Sequence, residues 1–220
     1  DGDAMSDSNL PDDRTLTQEG LAPTRAGRIL LIACGALARE ILDLKAANGW
    51  THLDLTCLPA KYHLYPEKIT QAVRDTVAKH RADYDDFFVV YADCGTGGGL
   101  ERACEEMGVQ MVAGPHCYSF FQGNESFAKT SEDEITTFYL TDFLARHFDT
   151  LIWEGMGLSD NPEILETMFS GYKRLIYLAQ TEDIHLTRLA EQAAGKLGLE
   201  FRREFTGYGE LGDFMAAVAP

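Results

Sequence analysis

The chain has 220 residues, 45% of them hydrophobic and 25% charged, which is a globular composition with enough apolar residues for one sizeable core. Its 19 Lys and Arg stand against 35 Asp and Glu, a formal net charge of -16, so a phosphate backbone would be repelled and nucleic acid is not an expected partner. No apolar run reaches the roughly 20 residues that span a bilayer, and no export signal is evident, which predicts a cytoplasmic protein without a membrane partner.

The first 26 residues are rich in Asp, Ser, Thr, Gly and Pro and show little periodicity. Such a composition is typical of a disordered or tag-derived segment, and Met5 is then the candidate native start. We therefore predict a disordered segment over residues 1–26 and a single domain over residues 27–220.

The first half of the predicted domain alternates short apolar runs with helical periodicity. Strands are predicted at residues 29–33, 53–57, 87–92 and 109–112. Helices are predicted between them: one that stops at Gly49, one that begins near Pro66 and buries Ile69, Val73 and Val77, and one at residues 100–107.

The second half continues this alternation less regularly. Helices are predicted at residues 136–147, 162–172 and 186–197, and strands at residues 151–153, 175–179 and 200–205. Strand and helix units that repeat in this way indicate an α/β fold with a doubly wound, mostly parallel, Rossmann-like sheet flanked by helices.

Thiol and imidazole groups follow four successive predicted strands. Cys34 follows the first strand, His63 lies in the loop beyond the second, Cys94 follows the third, and His116 and Cys117 follow the fourth. Ligands of open parallel sheets lie beyond the carboxyl ends of the strands, and thiolate and imidazole are preferred zinc ligands. The sequence therefore predicts a metal site of Cys34, Cys94, His116 and Cys117, with zinc favoured and an iron-sulfur cluster as the alternative, and leaves open which of His116 and Cys117 ligates.

The remaining cysteines have a structural interpretation. Cys104 lies in the middle of an apolar helix stripe and Cys57 at the end of an apolar strand, so both are interpreted as core residues. Near the predicted metal ligands, Glu40, His63 and Asp93 are candidates to orient a ligand or to carry a proton in catalysis.

A glycine-rich segment, DCGTGGG, occupies residues 93–99 between a predicted strand and a predicted helix. The amides of Gly95, Gly97 and Gly98 are candidates to bind an anionic cofactor, and the helix start favours a thiolate at Cys94. The segment lacks the lysine of a P-loop and the GxGxxG spacing. Its alternative interpretation is a tight turn that requires glycine, with Asp93 as a helix cap.

These segments resemble a bacterial and archaeal family catalogued as domain of unknown function 1638. The matching segments are ACGAL at 33–37 with Glu40, LPA at 58–60 with His63 and Pro66, DCGTGG at 93–98, Gly114 with HCY at 116–118, FYLTDF at 138–143 with Arg146, and YLAQ at 177–180. Together they cover residues 29 to about 210. Where the family tends to have Asn after the loop histidine, this chain has Leu64.

The resemblance implies a metabolic context. Proteins of this family are often encoded beside corrinoid-dependent methyltransferases for methylamines or betaines, and beside folate enzymes. A folate or corrinoid cofactor, or a corrinoid protein, is then an expected partner in addition to a small-molecule substrate.

Three hypotheses of function follow. The first is a metal-dependent enzyme or accessory catalyst of one-carbon metabolism, in which zinc acts as a Lewis acid. The second is a non-catalytic metal or corrinoid accessory protein. The third is a metal-free enzyme in which Cys94 is the nucleophile and His116 is its base.

Overall fold

The computed structural model describes residues 12–129 and 135–218. Residues 12–113 form one compact unit and residues 114–218 another, and each contains a parallel sheet flanked by helices. The predicted α/β class with parallel strands is therefore confirmed, with the strands divided between a four-stranded and a three-stranded sheet. The single domain over residues 27–220 stays a prediction.

The sheet of the first unit has the strand order β2-β1-β3-β4, and all its neighbouring strands are parallel. The strands are β1 (Ile29–Cys34), β2 (Leu53–Leu58), β3 (Asp86–Val90) and β4 (Gln110–Met111). Ala33 on β1 lies opposite Cys57 on β2 and Val90 on β3. The strands β1 and β2 are buried almost throughout, as expected for strands covered on both faces.

From residue 38 onwards, the helices of the first unit lie where the sequence predicted them, and one further helix precedes β1. They are α1 (Asp13–Gln18), α2 (Ala38–Asn48), α3 (Ile69–His80) and α4 (Gly99–Met107), with 3-10 turns at Gly35–Leu37, Ala60–Leu64 and Pro66–Lys68. Gly49 ends α2 in the left-handed conformation that favours glycine. Ile69, Val73 and Val77 of α3 are buried as predicted.

Residues 12–26 pack within the first unit, although the sequence placed them outside the fold. Leu16 of α1 is fully buried, Leu21 forms a backbone bridge with Cys57, and Asp13 pairs with Arg39 at 2.6 Å. Two leucines five residues apart give too little periodicity to indicate a folded segment in the sequence. The remainder of the expected disordered segment, residues 1–11, lies outside the described residues.

The buried carboxylate of Asp54 fixes the end of this N-terminal segment to β2. It accepts hydrogen bonds from the Thr24 amide at 3.2 Å, the Arg25 amide at 2.6 Å and the Tyr84 hydroxyl at 2.6 Å. Burial by itself raises the pKa of Asp54, but the hydrogen bonds from Tyr84, Leu55 and Thr24 outweigh it and hold the pKa below its ordinary value.

The sheet of the second unit has the order β5-β6-β7, and again all its neighbouring strands are parallel. The strands are β5 (Thr137–Leu140), β6 (Arg174–Ala179) and β7 (Glu200–Phe205). The helices are α5 (Ser119–Gln122), α6 (Asn124–Lys129), α7 (Asp142–Arg146), α8 (Pro162–Phe169), α9 (Ile184–Leu197) and α10 (Leu211–Val218). No helix within the described ranges is long and apolar enough to cross a membrane.

Two predicted elements of the second unit are wrong. The helix predicted at residues 136–147 is β5 followed by the short α7, because Thr141 ends the strand and its hydroxyl caps α7 by accepting from the Leu144 amide at 3.4 Å. The strand predicted at residues 151–153 is part of a π-helix, Phe148–Glu154. Leu151 and Ile152 are buried there, and a short apolar run does not distinguish a strand from a buried helix.

Candidate functional site

The candidate site lies at the carboxyl ends of two neighbouring strands of the first unit. Cys34 is the last residue of β1, and the chain beyond β3 runs through Tyr91 to Asp93 and Cys94. Since Ala33 lies opposite Val90, Tyr91 follows at the level of Cys34. Cys34 and Cys94 thus follow the first and third strands, as the sequence predicted, and the structure makes these two strands neighbours.

Cys94 has an unusual backbone conformation for a residue with a side chain. Its φ of 47° is left-handed, and Arg25 is the other non-glycine residue with positive φ in the described part of the chain. With Gly95 at φ 84° and the Thr96 amide donating to the Asp93 carbonyl at 2.9 Å, Cys94 occupies the first central position of a type I′ turn. Such a conformation costs roughly 1 kcal/mol or more for a residue with a Cβ atom.

The carboxylate of Asp93 accepts hydrogen bonds from several groups of the glycine-rich segment that follows it. It accepts from the Gly98 amide at 2.6 Å, the Gly97 amide at 3.2 Å and the Thr96 hydroxyl at 2.9 Å. Burial by itself raises the pKa of Asp93, but these hydrogen bonds, led by that of Gly98, outweigh it and hold the pKa below its ordinary value.

These bonds bear on the roles predicted for the segment. The amides of Gly97 and Gly98 are engaged by Asp93, so an external anion would have to compete with an internal carboxylate for them. A second turn places the start of α4 at Gly99, five residues beyond Cys94. The helix dipole fades within about one turn, and its effect on Cys94 is therefore weak. Cofactor binding by Gly95, Gly97 and Gly98 stays a prediction.

Cys34 is buried beside polar groups of the first unit. Burial raises the pKa of the Cys34 thiol to about 11. A backbone hydrogen bond from Ala36 and a hydrogen bond with the Tyr91 side chain oppose this rise, while the charges of Cys94 and Glu40 add to it. The side chains of Tyr91, Glu40 and Cys94 therefore all influence the pKa of Cys34.

Exposure separates Cys94 from the other thiols of the first unit. Among the cysteines described there, Cys94 is half-buried, and Cys34, Cys57 and Cys104 are buried. Burial raises the pKa of the Cys104 thiol to about 11 and that of the Cys57 thiol well above its ordinary value. The core interpretation of Cys57 and Cys104 agrees with this burial, and Cys94 is the thiol that solvent reaches.

Three further residues complete the description of this region. Tyr91 is 1% exposed, and the sequence analysis did not name it as a candidate site residue. Its position directly after an apolar strand, level with Cys34, is a signal that could have identified it. Glu40 is 6% exposed on the first turn of α2. His63 is exposed on the 3-10 turn after β2, and its catalytic role stays a prediction.

His116 belongs to an aromatic stack in the second unit. Its ring stacks on Tyr118 at 4.8 Å between centroids, and Tyr118 stacks on Tyr139 of β5 at 5.2 Å. Phe127 packs edge-on against both His116 and Tyr118. His116 and the neighbouring Cys117 are both half-buried.

The carboxyl ends of β5 and β6 are joined by a buried carboxylate that the sequence did not single out. Asp142, 3% exposed, accepts from the Tyr177 hydroxyl at 2.7 Å, the Gln180 amide at 3.0 Å and the Thr181 hydroxyl and amide at 2.6 and 3.0 Å. The Gln180 side chain accepts in turn from the Asp142 amide at 2.7 Å. Burial and the bond to Asp142 raise the pKa of Tyr177 far above its ordinary value. The two family-like segments FYLTDF and YLAQ thus meet in a saturated hydrogen-bond network.

The donors predicted to hold a metal are divided between the units. Cys34 and Cys94 belong to the first, and His116 and Cys117 belong to the second. Across residues 12–129 and 135–218, no three His, Cys, Asp or Glu side chains are grouped so that they could hold a metal ion. A tetrahedral zinc site needs at least three protein ligands, and metal binding by these four residues stays a prediction.

Comparison with known proteins gives a family and no activity. A family model described as "Protein of unknown function (DUF1638)" matches residues 57–215, well over half of the chain. No curated protein and no solved structure matches the chain. The matched range includes the segment at 93–99, the stack around His116 and the Asp142 network. The chain therefore belongs to the DUF1638 family.

Proposed function

We propose that the protein is a thiol-dependent enzyme that acts on a small electrophilic substrate, with Cys94 as the nucleophile. The observation that carries this proposal is the left-handed backbone of Cys94, a half-buried thiol in a turn directly beyond a central strand. Residues held in sparsely populated conformations cluster at active sites, where the strain positions a reacting group.

The surrounding residues support a nucleophilic role. Asn, Asp and Gly adopt this turn conformation with less strain than Cys, so the fold alone does not explain a thiol here. The strand-turn-helix setting resembles the sharp turn that exposes the nucleophile of α/β-hydrolases. Asp93 keeps the turn rigid through its bonds to Thr96, Gly97 and Gly98. In this proposal Asp93 is a positioning residue.

One-carbon metabolism is the context we propose for this chemistry, on the family resemblance alone. A thiolate is an effective acceptor of electrophilic carbon, including methyl and acyl groups. The proton acceptor for Cys94 stays open: the proposed partner His116 lies in the second unit, in its stack with Tyr118.

Covalent trapping tests the proposal. The full-length protein is incubated with a panel of thioesters and methyl donors, and adducts are mapped by peptide mass spectrometry. We expect an adduct on Cys94 that is absent from Cys94→Ser and retained by Cys117→Ser, a matched control because Cys117 is also half-buried. Equal adduct formation by wild type and Cys94→Ser would refute the proposal.

A zinc or iron-sulfur protein, catalytic or accessory, is the second candidate. It is favoured by the placement of Cys34 and Cys94, two of the four predicted ligands, beyond the carboxyl ends of the neighbouring strands β1 and β3. Elemental analysis and visible spectra of anaerobically purified protein decide it. The candidate is supported if the wild type holds stoichiometric metal, if Cys104→Ala keeps it, and if it is lost in Cys34→Ala, Cys94→Ala or Cys117→Ala. Absence of metal after reconstitution would exclude it.

A further inference from the structure

We propose that two copies of the chain associate through their β7 strands, which pair antiparallel and join two three-stranded sheets into one continuous sheet. The surface is the outer edge of β7 (Glu200–Phe205), and its partner is the same edge of a second copy. The direction of the backbone groups on β7 and the order of charges along it carry this proposal. The association does not depend on the reaction proposed for Cys94.

Within the described ranges, β7 forms one edge of its sheet. The strand order is β5-β6-β7, and β7 pairs with β6 over its full length. The amides of Glu200 and Thr206 donate to backbone carbonyls at the two ends of β6. Backbone groups point alternately to the two sides of a strand, so the N–H and C=O groups of Phe201, Arg203 and Phe205 point to the outer edge. Such an edge is a template for pairing with another chain.

This alternation limits the registers in which two β7 edges can pair. Residues whose backbone groups point outward must lie opposite one another for hydrogen bonds to form. Two symmetric registers meet this condition and pair five residues of the strand, one centred on Arg202 and one centred on Arg203. The register centred on Arg202 sets Glu200 opposite Glu204 of the second copy and Arg202 opposite itself. Like charges that lie directly opposite destabilise a pair of strands.

The register centred on Arg203 places opposite charges together. Arg202 lies opposite Glu204 of the second copy, and the symmetry produces this pair twice. These are the non-hydrogen-bonded positions of an antiparallel ladder, where the Cα atoms are about 4.5 Å apart and the side chains approach most closely. Phe201 lies opposite Phe205 of the second copy at hydrogen-bonded positions. Opposite charges and aromatic pairs both stabilise neighbouring strands.

Arg203 lies opposite itself at the centre of this register, and its charge is already compensated within each copy. Its guanidinium donates to the Glu182 carboxylate at 2.7 Å and to the Thr187 hydroxyl of α9 at 3.2 Å. Each of the two central arginines therefore meets a carboxylate of its own chain.

The charged residues of the proposed pair make weak contacts within one copy. The side chain of Arg202 is 55% exposed and pairs with Glu200 at 3.4 Å. Exposed ion pairs of this kind contribute little to stability. Glu204 accepts from the Gln122 side chain at 3.4 Å, which is long for a hydrogen bond. Both groups can therefore turn towards a second copy at little cost.

Apolar surface lies at the carboxyl end of the same strand. Phe205 is 55% exposed and Ile184 is 65% exposed. Ile184 lies one helical turn before Thr187, which binds Arg203, so it belongs to the side of α9 that meets β7. Exposed apolar groups that lie together mark association surfaces, and the proposed pairing covers Phe205 with Phe201 of the second copy.

Sedimentation equilibrium of the full chain tests the proposal. At about 0.15 M salt, repulsion between two chains of net charge -16 is screened beyond about 8 Å, and we expect a monomer–dimer equilibrium. Arg202→Glu and Glu204→Arg each set like charges opposite one another twice, so each should raise the dimer dissociation constant about tenfold or more. Lys79→Glu, an exposed control on α3 with the same change in charge as Arg202→Glu, should leave the constant unchanged.

A mixture of the two charge variants tests the register itself. The edge of Arg202→Glu carries acidic side chains at both contact positions, and the edge of Glu204→Arg carries basic ones. The mixed pair therefore has opposite charges at both contacts, whereas each variant paired with itself has like charges. Native mass spectrometry should detect heterodimers in the mixture and mostly monomers of each variant alone. Circular dichroism verifies that both variants are folded.

The proposal is overturned if the wild type stays monomeric at the highest concentration that remains soluble. A dimer that is weakened by neither charge variant would also overturn it, because the interface would then lie elsewhere. A register other than the one centred on Arg203 is indicated if Glu204→Arg dimerises like the wild type, or if the two folded variants form no heterodimer. Either result would refute the pairing of Arg202 with Glu204.

Discussion

The two sheets carry different polar groups at their carboxyl ends. In the second unit Asp142 accepts four hydrogen bonds from Tyr177, Gln180 and Thr181, and its surroundings are ordinary helix and strand. In the first unit Cys94 occupies a left-handed turn, and the buried Cys34 ends the neighbouring strand β1. Cys94 and the Asp142 network fall within the matched family range, and Cys34 precedes it.

The contrast distinguishes a polar group that stabilises the fold from a group that we propose to react with a substrate. A buried carboxylate that is fully hydrogen-bonded contributes to stability, since removing it leaves several donors without a partner. A strained residue does the opposite, because its conformation raises the free energy of the folded state. Substitution at Asp142 and at Cys94 should therefore change stability in opposite directions.

The largest effect is expected for Asp142→Ala. The substitution leaves the buried Tyr177 hydroxyl and the buried Gln180 amide without their acceptor, at a cost of about 3 kcal/mol in the free energy of unfolding. Urea denaturation followed by circular dichroism measures it. Glu163→Ala, an exposed control on α8, should change the free energy of unfolding by less than about 0.5 kcal/mol. A loss of that small size at Asp142 would contradict its structural role.

The next effect concerns acid stability and Asp54. Because its pKa in the folded protein is below the unfolded value, the ionised group stabilises the fold above the unfolded pKa of about 4, and this contribution is lost as pH falls through the folded pKa. Asp54→Asn should cost about 2 kcal/mol at neutral pH and flatten the decline in stability between about pH 5 and pH 2. Parallel wild-type and variant curves of unfolding free energy against pH would disprove this.

A gain in stability is expected for Cys94→Asn. Asparagine adopts left-handed backbone conformations more readily than cysteine, so the free energy of unfolding should rise by about 1 kcal/mol while reaction with electrophiles at this position is lost. Cys104→Ala is the control, because truncating a buried side chain should lower the same quantity. Destabilisation by Cys94→Asn would show that the turn favours the thiol for structural reasons.

The smallest effect is expected for Glu40→Gln. Burial is the main reason that the pKa of Cys34 is about 11, and the charge of Glu40 adds to it. Removal of that charge should lower the pKa of Cys34 only slightly, since Glu40 contributes less to it than burial does. The pH dependence of Cys34 alkylation, followed by mass spectrometry, measures the change. An unchanged or higher pKa would mean that Glu40 does not act on this thiol.

Much of the first unit could be predicted from sequence because its strands are continuous apolar runs and its helices are strongly periodic. The positions of Cys34 and Cys94 beyond the first and third strands followed from the same pattern. The conformation of Cys94 and the inward bonds of Asp93 did not follow, since DCGTGGG is equally compatible with a loop that binds an anion. A single sequence does not specify where amide groups point.

The second unit was less predictable for reasons that lie in particular residues. Thr136 to Phe143 mixes β-branched, aromatic and capping residues, and tertiary pairing of β5 with β6 decided its structure. The hydrogen bonds that Asp142 accepts come from residues such as Tyr177 and Thr181, more than 30 residues away in sequence. Contacts of this kind have no local signal.

The rates at which the five cysteines react with iodoacetamide in the native protein test the central claim most directly. Cys94 and Cys117 are both half-buried, so exposure alone predicts similar rates for them. Our account predicts that Cys94 reacts roughly tenfold or more faster than Cys117, and that Cys34, Cys57 and Cys104 react more slowly still. A rate at Cys94 equal to or below that at Cys117 would contradict it.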